Sequence, residues 1–245
     1  MEDFENADAP LLGNRKDDND KYLEGQIQKD LREGFITKVF GIIAYQIFLL
    51  FLVVLFAFLN KAFRQLLLTS SLLYWITLIT ALLCLIIPIF KPSLYQKVPT
   101  NYIILTIFTL SYSWWIALYT IFFTPSSVLL AVFLTLITVL LITIYAFRSK
   151  KDYTVYGGVL FTALNLLLIC GILLIFFKIE LLYVIEIYGG LLLFCAYLLY
   201  DVQLLVGDKS RKFGEDDYIL AAINIYLDII GIFIRILAIV GNKNN

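Results

Sequence analysis

Seven long apolar runs follow one another in this chain of 245 residues and constrain its fold more than any other feature. A helix of about 20 residues, rising ~1.5 Å per residue, crosses the ~30 Å hydrocarbon core of a bilayer. Because lipid offers no partner to backbone polar groups, such runs cross as helices. We therefore predict an all-α membrane protein, a bundle of seven transmembrane helices surrounded by the lipid bilayer. The predicted spans are 35–59, 71–90, 102–123, 127–147, 155–177, 181–206 and 218–240.

The segment ahead of the first run differs from the rest in composition. Residues 1–34 are polar, charged and poor in aromatic side chains, which is typical of disorder. We predict a disordered cytosolic tail over 1–34 and one seven-helix domain over 35–241, because the loops are too short to hold a soluble domain. Within the tail, Asp8-Ala9-Pro10-Leu11-Leu12 resembles an acidic dileucine sorting signal for endosomes or lysosomes. A plain disordered tail explains the same residues.

The distribution of lysine and arginine predicts the orientation of the chain. Thirteen of these residues lie in the tail and in the loops on its side of the membrane, and four lie on the opposite side. Cytosolic loops carry the excess, so we expect a cytosolic N-terminus. Seven full crossings would place the C-terminus on the far side. The last run contains several polar residues, however, and a re-entrant segment buried in protein also tolerates these.

The chain has no histidine, and this absence excludes several kinds of chemistry. Ser–His and Cys–His catalysis are ruled out, and so is the commonest zinc ligand. Cys84, Cys170 and Cys195 fall within predicted spans and lack the spacing of a metal site. We therefore expect no enzymatic activity, no resident cofactor and no nucleic-acid partner. Any response to pH must come from carboxyl groups.

Two aspartates lie inside the last two apolar runs. A carboxylate in the bilayer core costs roughly 2.5–3.5 kcal/mol on insertion scales, which makes Asp201 and Asp228 candidates for a functional site. Their helices are joined by the short loop 207–217, and we expect them to be antiparallel neighbours. If the two carboxyl groups meet, they titrate as a coupled pair. Oxygen ligands of this kind suit Ca²⁺, so the pair is predicted to sense pH and to bind Ca²⁺ transiently.

Other polar residues accompany the pair. Asn224, Asp228 and Arg235 fall within roughly 40° on one helix, and a stripe of this kind faces a bundle interior or a water-filled path. Glu186 either lines the same interior or extends to the membrane surface. Asp216 belongs to an acidic run that suits a helix N-terminus or recruits cations at a cytosolic opening. In the simpler alternative, each aspartate makes only a structural hydrogen bond, with Asp228 leaning toward Arg235.

Three segments near the C-terminus form a distinctive pattern: GGLLLFCAYLLYDVQLLVG, EDDYILAAINIYLDIIGIF and ILAIVG. Arg32-Glu33-Gly34-Phe35 lies ahead of the first span, and Tyr74-Trp75 lies in the second. In these motifs, and over roughly residues 32–241, the chain resembles the transmembrane BAX inhibitor motif family, nearer its lifeguard and Golgi anti-apoptotic branch.

The resemblance implies a seven-helix fold that lets Ca²⁺ leak down its gradient in a pH-sensitive way and damps cell death. It implies that Asp201 and Asp228 form the di-aspartyl unit, and that Asp216 matches a position linked to ion conduction. It further implies residence in the endoplasmic reticulum or Golgi, and partners from cell-death or Ca²⁺-release pathways. One feature departs from the bacterial relatives, whose second helix carries an arginine that latches the acid pair. The run 71–90 has no arginine, which leaves Arg235 as a substitute.

Two other functions compete with a Ca²⁺ leak. The first is a non-transporting membrane scaffold that regulates cell death through protein partners. The second is an intramembrane aspartyl protease, because Tyr200-Asp201 matches one half of the signature of those enzymes. The other half should read Gly-x-Gly-Asp, and Ile225-Tyr226-Leu227-Asp228 lacks both glycines. The protease is therefore the weakest of the three hypotheses.

Overall fold

A computed structural model describes the backbone of residues 9–207, 212–214 and 216–243, with side chains from Lys21 onward. Within these residues, seven helices are long and apolar enough to cross a membrane, which confirms the predicted all-α bundle. The helices are α1 (Ala9–Leu59), α2 (Lys61–Thr69), α3 (Ser71–Phe90), α4 (Ser93–Gln96), α5 (Thr100–Thr120), α6 (Pro125–Arg148), α7 (Gly157–Phe176), α8 (Glu180–Val184), α9 (Gly190–Val206) and α10 (Tyr218–Val240). A π-helical turn, Ile185–Gly189, joins α8 to α9, and these three segments form the sixth span.

Helix α1 begins well before the membrane. The sequence predicted a disordered tail up to residue 34, whereas the helix runs without a break from Ala9. Residues 21–31 are all exposed, so tertiary packing does not explain this extension. The segment is rich in glutamate, glutamine, lysine and leucine, which favour helix, and extending an existing helix needs no new nucleus. Asp8 of the dileucine-like motif lies outside the described residues.

The last helix crosses the whole bundle. Helix α10 is continuous over 23 residues, a length of about 34 Å. The loop that precedes it contacts Arg32 of α1 at one end of the bundle, which we call the N-terminal face. At the other end, the C-terminal face, the Thr124 N–H donates to the Asn242 carbonyl (3.0 Å), and the Asn242 N–H donates to Ser127 Oγ (2.9 Å). Asn242 therefore lies opposite the N-terminal face, and α10 is not re-entrant.

Helix α10 is also the centre of the bundle. It packs against α1, α6 and α9, and fourteen of its 23 residues are buried. The outer helices bury far less; α3 buries Ala81 and Cys84, and α7 buries Leu167. The polar residues Asn224, Asp228 and Arg235 of α10 fit this central place, because polar side chains within a membrane span typically face the bundle interior. Asp228 is thereby held inside protein rather than in lipid.

The loop between α9 and α10 is fixed at its start by Arg32. The guanidinium donates from Nε to the Val206 carbonyl (3.1 Å), from Nη1 to the Phe213 carbonyl (2.9 Å) and from Nη2 to the Leu204 carbonyl (2.6 Å). Helix α9 ends at Gly207, whose φ of 76° is the left-handed conformation that favours glycine at a helix C-terminus. A side chain there would also meet the guanidinium, since a Cβ on Gly207 would lie 2.5 Å from Arg32 Nε.

Candidate functional site

Helices α9 and α10 pack closely against each other, as the short loop between them predicted. Gly231 of α10 allows the close approach, because a Cβ at this position would lie 2.4 Å from the ring of Phe194 on α9. Phe194 lies seven residues before Asp201, about two helical turns, and therefore on the same face of α9. The aromatic ring occupies the interface next to the level of the aspartates.

Asp201 and Asp228 meet inside this interface. Each residue is only 4% exposed, and the two carboxyl groups lie within hydrogen-bonding reach of each other. Ionised carboxylates only accept hydrogen bonds, so a bond between them needs a proton on one of the two. The structure thus brings together the two residues that the sequence singled out.

One carboxyl oxygen of the pair lacks a hydrogen-bond partner within the described residues. Asp228 Oδ2 is buried and finds no hydrogen-bond partner among the described residues. A buried oxygen of this kind is satisfied by a water molecule or by a cation. The described residues contain no group of three or more acidic, cysteine or histidine side chains that would hold a metal ion firmly. Two carboxylates alone suit a cation that binds and leaves.

Asn224 stands one helical turn from Asp228, toward the N-terminal face. It is exposed, whereas its neighbours Ile223 and Ile225 are buried. Asn224 and Asp228 share one face of α10, as the predicted polar stripe requires. Asn224 is therefore the exposed member of the stripe, one turn from the buried pair on the side of the loop 207–217.

Arg235, the third residue of the stripe, does not pair with Asp228 in the described part of the chain. Within the described residues, its Nη2 donates to Glu186 Oε1 at 3.0 Å, and its Nη1 donates to the Gly231 carbonyl at 3.4 Å. Asp228 lies seven residues away, about 10.5 Å along the axis, which is too far for a direct pair. Glu186 stands in the π-helical turn and points inward, with its Oε2 buried, rather than extending to the membrane surface.

The remaining sequence candidates lie elsewhere. Asp216 is exposed in the loop at the N-terminal face. Its neighbour Asp217 orders that loop, because its carboxylate accepts bonds from the Gly214 N–H (3.2 Å) and from Gln96 Nε2 (3.2 Å). Arg64, which precedes the second span, donates to the Ile121 carbonyl (3.2 Å) near the C-terminal face. It therefore lies at the opposite end of the bundle from Asp216.

Sequence reasoning missed the side chains that shape this interface. Phe194 and Gly231 are ordinary apolar residues in the sequence, and Arg32 stands out there only as part of a motif. The glycine was the one available signal, because a glycine inside a buried helix often marks close contact with a neighbour. The ring that fills the space had no comparable signal.

Fold and site together define a class: a seven-helix membrane protein with an acid pair buried between its last two spans. Residues 32–245 match the family model described as inhibitor of apoptosis-promoting Bax1. The chain is 35% identical to Protein LIFEGUARD 4 of Arabidopsis thaliana, covering 86% of this chain and 85% of the relative. It is 34% identical to the BI1-like protein of the same plant, covering 89% and 84%. It is 33% identical to the Golgi anti-apoptotic protein of vaccinia virus strain Lister, covering 87% of each. The chain belongs to this Bax1 inhibitor family.

Proposed function

We propose that this protein is a pH-sensitive Ca²⁺ leak channel of intracellular membranes. One observation carries the proposal, namely the contact between the buried carboxyl groups of Asp201 and Asp228. Two acids on adjacent helices hold together while they share a proton and repel each other when both are ionised. A divalent cation that replaces the proton neutralises both charges at once.

The surroundings of the pair support passage rather than storage of the ion. Asp228 Oδ2 is available inside the bundle, and the exposed Asn224 offers polar contact one turn away. Ca²⁺ would bind between the carboxylates as the proton leaves and would dissociate when a proton returns. No catalytic step is involved, and Ca²⁺ is the transported ion rather than a cofactor.

The cellular role that we propose is the inhibition of apoptosis through a lower content of stored Ca²⁺. Membership of the Bax1 inhibitor family supports the anti-apoptotic part of this role. The name of the vaccinia virus relative supports the Golgi, and we propose the Golgi or endoplasmic reticulum, with endolysosomal membranes as the alternative. The excess of lysine and arginine on the N-terminal face supports a cytosolic N-terminus.

Reconstitution in liposomes tests the leak. Purified protein is inserted into Ca²⁺-loaded vesicles, and efflux is followed with an external Ca²⁺ dye across a range of pH. The wild-type protein should release Ca²⁺, and Asp228→Asn should reduce the rate at least about tenfold, which corresponds to 1.4 kcal/mol. Glu180→Gln is the matched control, because Glu180 is exposed on the same span as Asp201. Equal efflux from wild type and Asp228→Asn would contradict the proposal.

A second candidate function rests on a different observation. The part of α1 outside the membrane domain has an exposed apolar stripe formed by Leu23, Ile27 and Leu31, which recur every four residues. Such a stripe suits a partner helix, and a scaffold that binds proteins of cell-death or Ca²⁺-release pathways would use it.

Cell-death assays separate the two functions. Ca²⁺ release by the Asp201 and Asp228 variants should be lost together with protection of the cell if the leak is the main activity. Protection that survives loss of both aspartates, but not a Leu23→Asp, Ile27→Asp double change, would favour the scaffold.

A further inference from the structure

The sixth span and α10 are joined at a second place, away from the acid pair. Glu186 in the π-helical turn and Arg235 of α10 form an ion pair of 3.0 Å. Their side chains are only 26% and 15% exposed, so the pair is held mostly inside the bundle. It lies about 10 Å farther along α10 than Asp228, toward the C-terminal face.

The side chain of Arg235 packs against an aromatic residue and a glycine. The guanidinium lies over the ring of Phe194, 4.4 Å from its centroid. It also lies against Gly190, where a Cβ would stand 2.4 Å from Arg235 Nε. Phe194 therefore contacts both Gly231, near the acid pair, and Arg235. The side chain of Arg235 reaches Glu186 only because residue 190 has no side chain.

The carboxylate of Glu186 is only partly satisfied by this contact. Its Oε1 accepts the bond from Arg235, while its Oε2 is buried next to Gly171 of α7 and finds no hydrogen-bond partner within the described residues. Arg235 Nε is likewise buried and unpaired in that part of the chain. The other charged or titratable groups near Arg235 are Tyr112 and Tyr119 of α5. Both partners thus keep unused polar atoms: a water molecule or a cation would complete Glu186 Oε2, and a water molecule would accept the proton of Arg235 Nε.

We propose that the Glu186–Arg235 ion pair is the second closure of the Ca²⁺ pathway, located between the acid pair and the C-terminal face. This inference rests on the proposed function. While the ion pair is formed, Arg235 places a positive charge and the Phe194 ring in the path of a cation. When it opens, Glu186 becomes an acidic ligand one step beyond Asp228. The π-helical turn is the natural hinge, because such turns are locally distorted helix and are frequent at functional sites.

The test measures Ca²⁺ efflux from proteoliposomes together with the separation of the two helices. Glu186→Gln removes the negative charge that holds Arg235 in place. Gly190→Ala displaces Arg235 while leaving both charges in place. Each change should raise the efflux roughly fivefold or more, the lower end of typical coupling between sites. Gly171→Ala is the matched control, because its Cβ would stand 3.9 Å from Glu186 Oε2, an ordinary contact. The control should behave as wild type.

Two double variants exclude a merely structural role. Reversing both charges, Glu186→Arg with Arg235→Glu, should return the efflux toward the wild-type rate. Adding Asp228→Asn to Glu186→Gln should abolish the extra efflux, because the ion still has to pass the acid pair. A loss of folding alone would not produce a gain that depends on Asp228. Wild-type rates in Glu186→Gln and Gly190→Ala would overturn the proposal.

A readout without Ca²⁺ separates this proposal from the proposed function. Spin labels are placed at Leu192 and Ile239, which are exposed on α9 and α10 toward the C-terminal face, after replacement of the three cysteines by alanine. Glu186→Gln and Gly190→Ala should each add a longer label distance that is absent from the wild type and from the charge-reversal variant. If these distances change as expected while the wild-type protein releases no Ca²⁺, the leak fails, and the ion pair stands only as a contact that holds the two helices together. If efflux occurs but neither efflux nor distance responds to these changes, the closure fails and the leak stands.

Discussion

The carboxyl groups of Asp201 and Asp228 face each other inside the bundle, within hydrogen-bonding reach, at 4% exposure each. Two acids in this position need a proton or a cation between them. Protons and Ca²⁺ should therefore compete for the same oxygens.

The apparent affinity for Ca²⁺ should depend on pH. If Ca²⁺ displaces the shared proton, the affinity should rise as pH rises, by up to about tenfold per pH unit, and should fall as pH falls. Binding is measured with the purified protein by titration of Ca²⁺ at several pH values. In Asp201→Asn, which leaves one carboxyl group, both the affinity and its pH dependence should decrease. An affinity that is independent of pH in the wild-type protein would contradict shared ligands.

Arg32 should stabilise the N-terminal face. Its guanidinium donates to three backbone carbonyls around the end of α9, and hydrogen bonds from charged groups contribute about 1.5–3 kcal/mol each at most. Arg32→Ala should lower the free energy of unfolding by about 2 kcal/mol, measured by thermal unfolding in detergent. Lys29→Ala is the control, because the contact of Lys29 among the described residues is an exposed one with Glu33 at 3.9 Å. Equal melting temperatures for the two variants would contradict this role.

Gly231 should be required for the approach of α9 to α10. A Cβ there would lie 2.4 Å from the ring of Phe194, and overpacking of this kind costs about 1–3 kcal/mol. Gly231→Ala should therefore destabilise the bundle by about that amount. Gly41 is helical too, and a Cβ at that position has no atom within 4 Å, so Gly41→Ala should be neutral or stabilising by up to about 1 kcal/mol. The free energies of unfolding of the two variants are compared by thermal unfolding in detergent. Stability losses of similar size would refute the packing argument.

Much of the fold follows from local features of the sequence. The spans were predictable because a bilayer requires runs of fixed length, and each predicted span overlaps a helix that is long enough to cross. The proximity of Asp201 to Asp228 was predictable because a short loop joins their helices. The helical structure of the segment before residue 35 was not predictable. Its charged composition suggests disorder, while its individual residues favour helix and extend α1.

The details of the site depend on distances that the sequence does not contain. The spacing of Asn224, Asp228 and Arg235 placed all three on one face, yet Asn224 is exposed, Asp228 is buried and Arg235 pairs with Glu186. These differences depend on how α9 and the π-helical turn pack against α10. That packing is set by the whole bundle rather than by local sequence.

The most direct test of the account is Ca²⁺ efflux from proteoliposomes that contain Asp201→Asn, Asp228→Asn or both changes. If the two carboxyl groups act as one unit, each single change should reduce efflux at least about tenfold, and the double change should reduce it little further. Glu180→Gln should match the wild type. Efflux that persists in the double variant, or two single effects that multiply, would contradict the shared site.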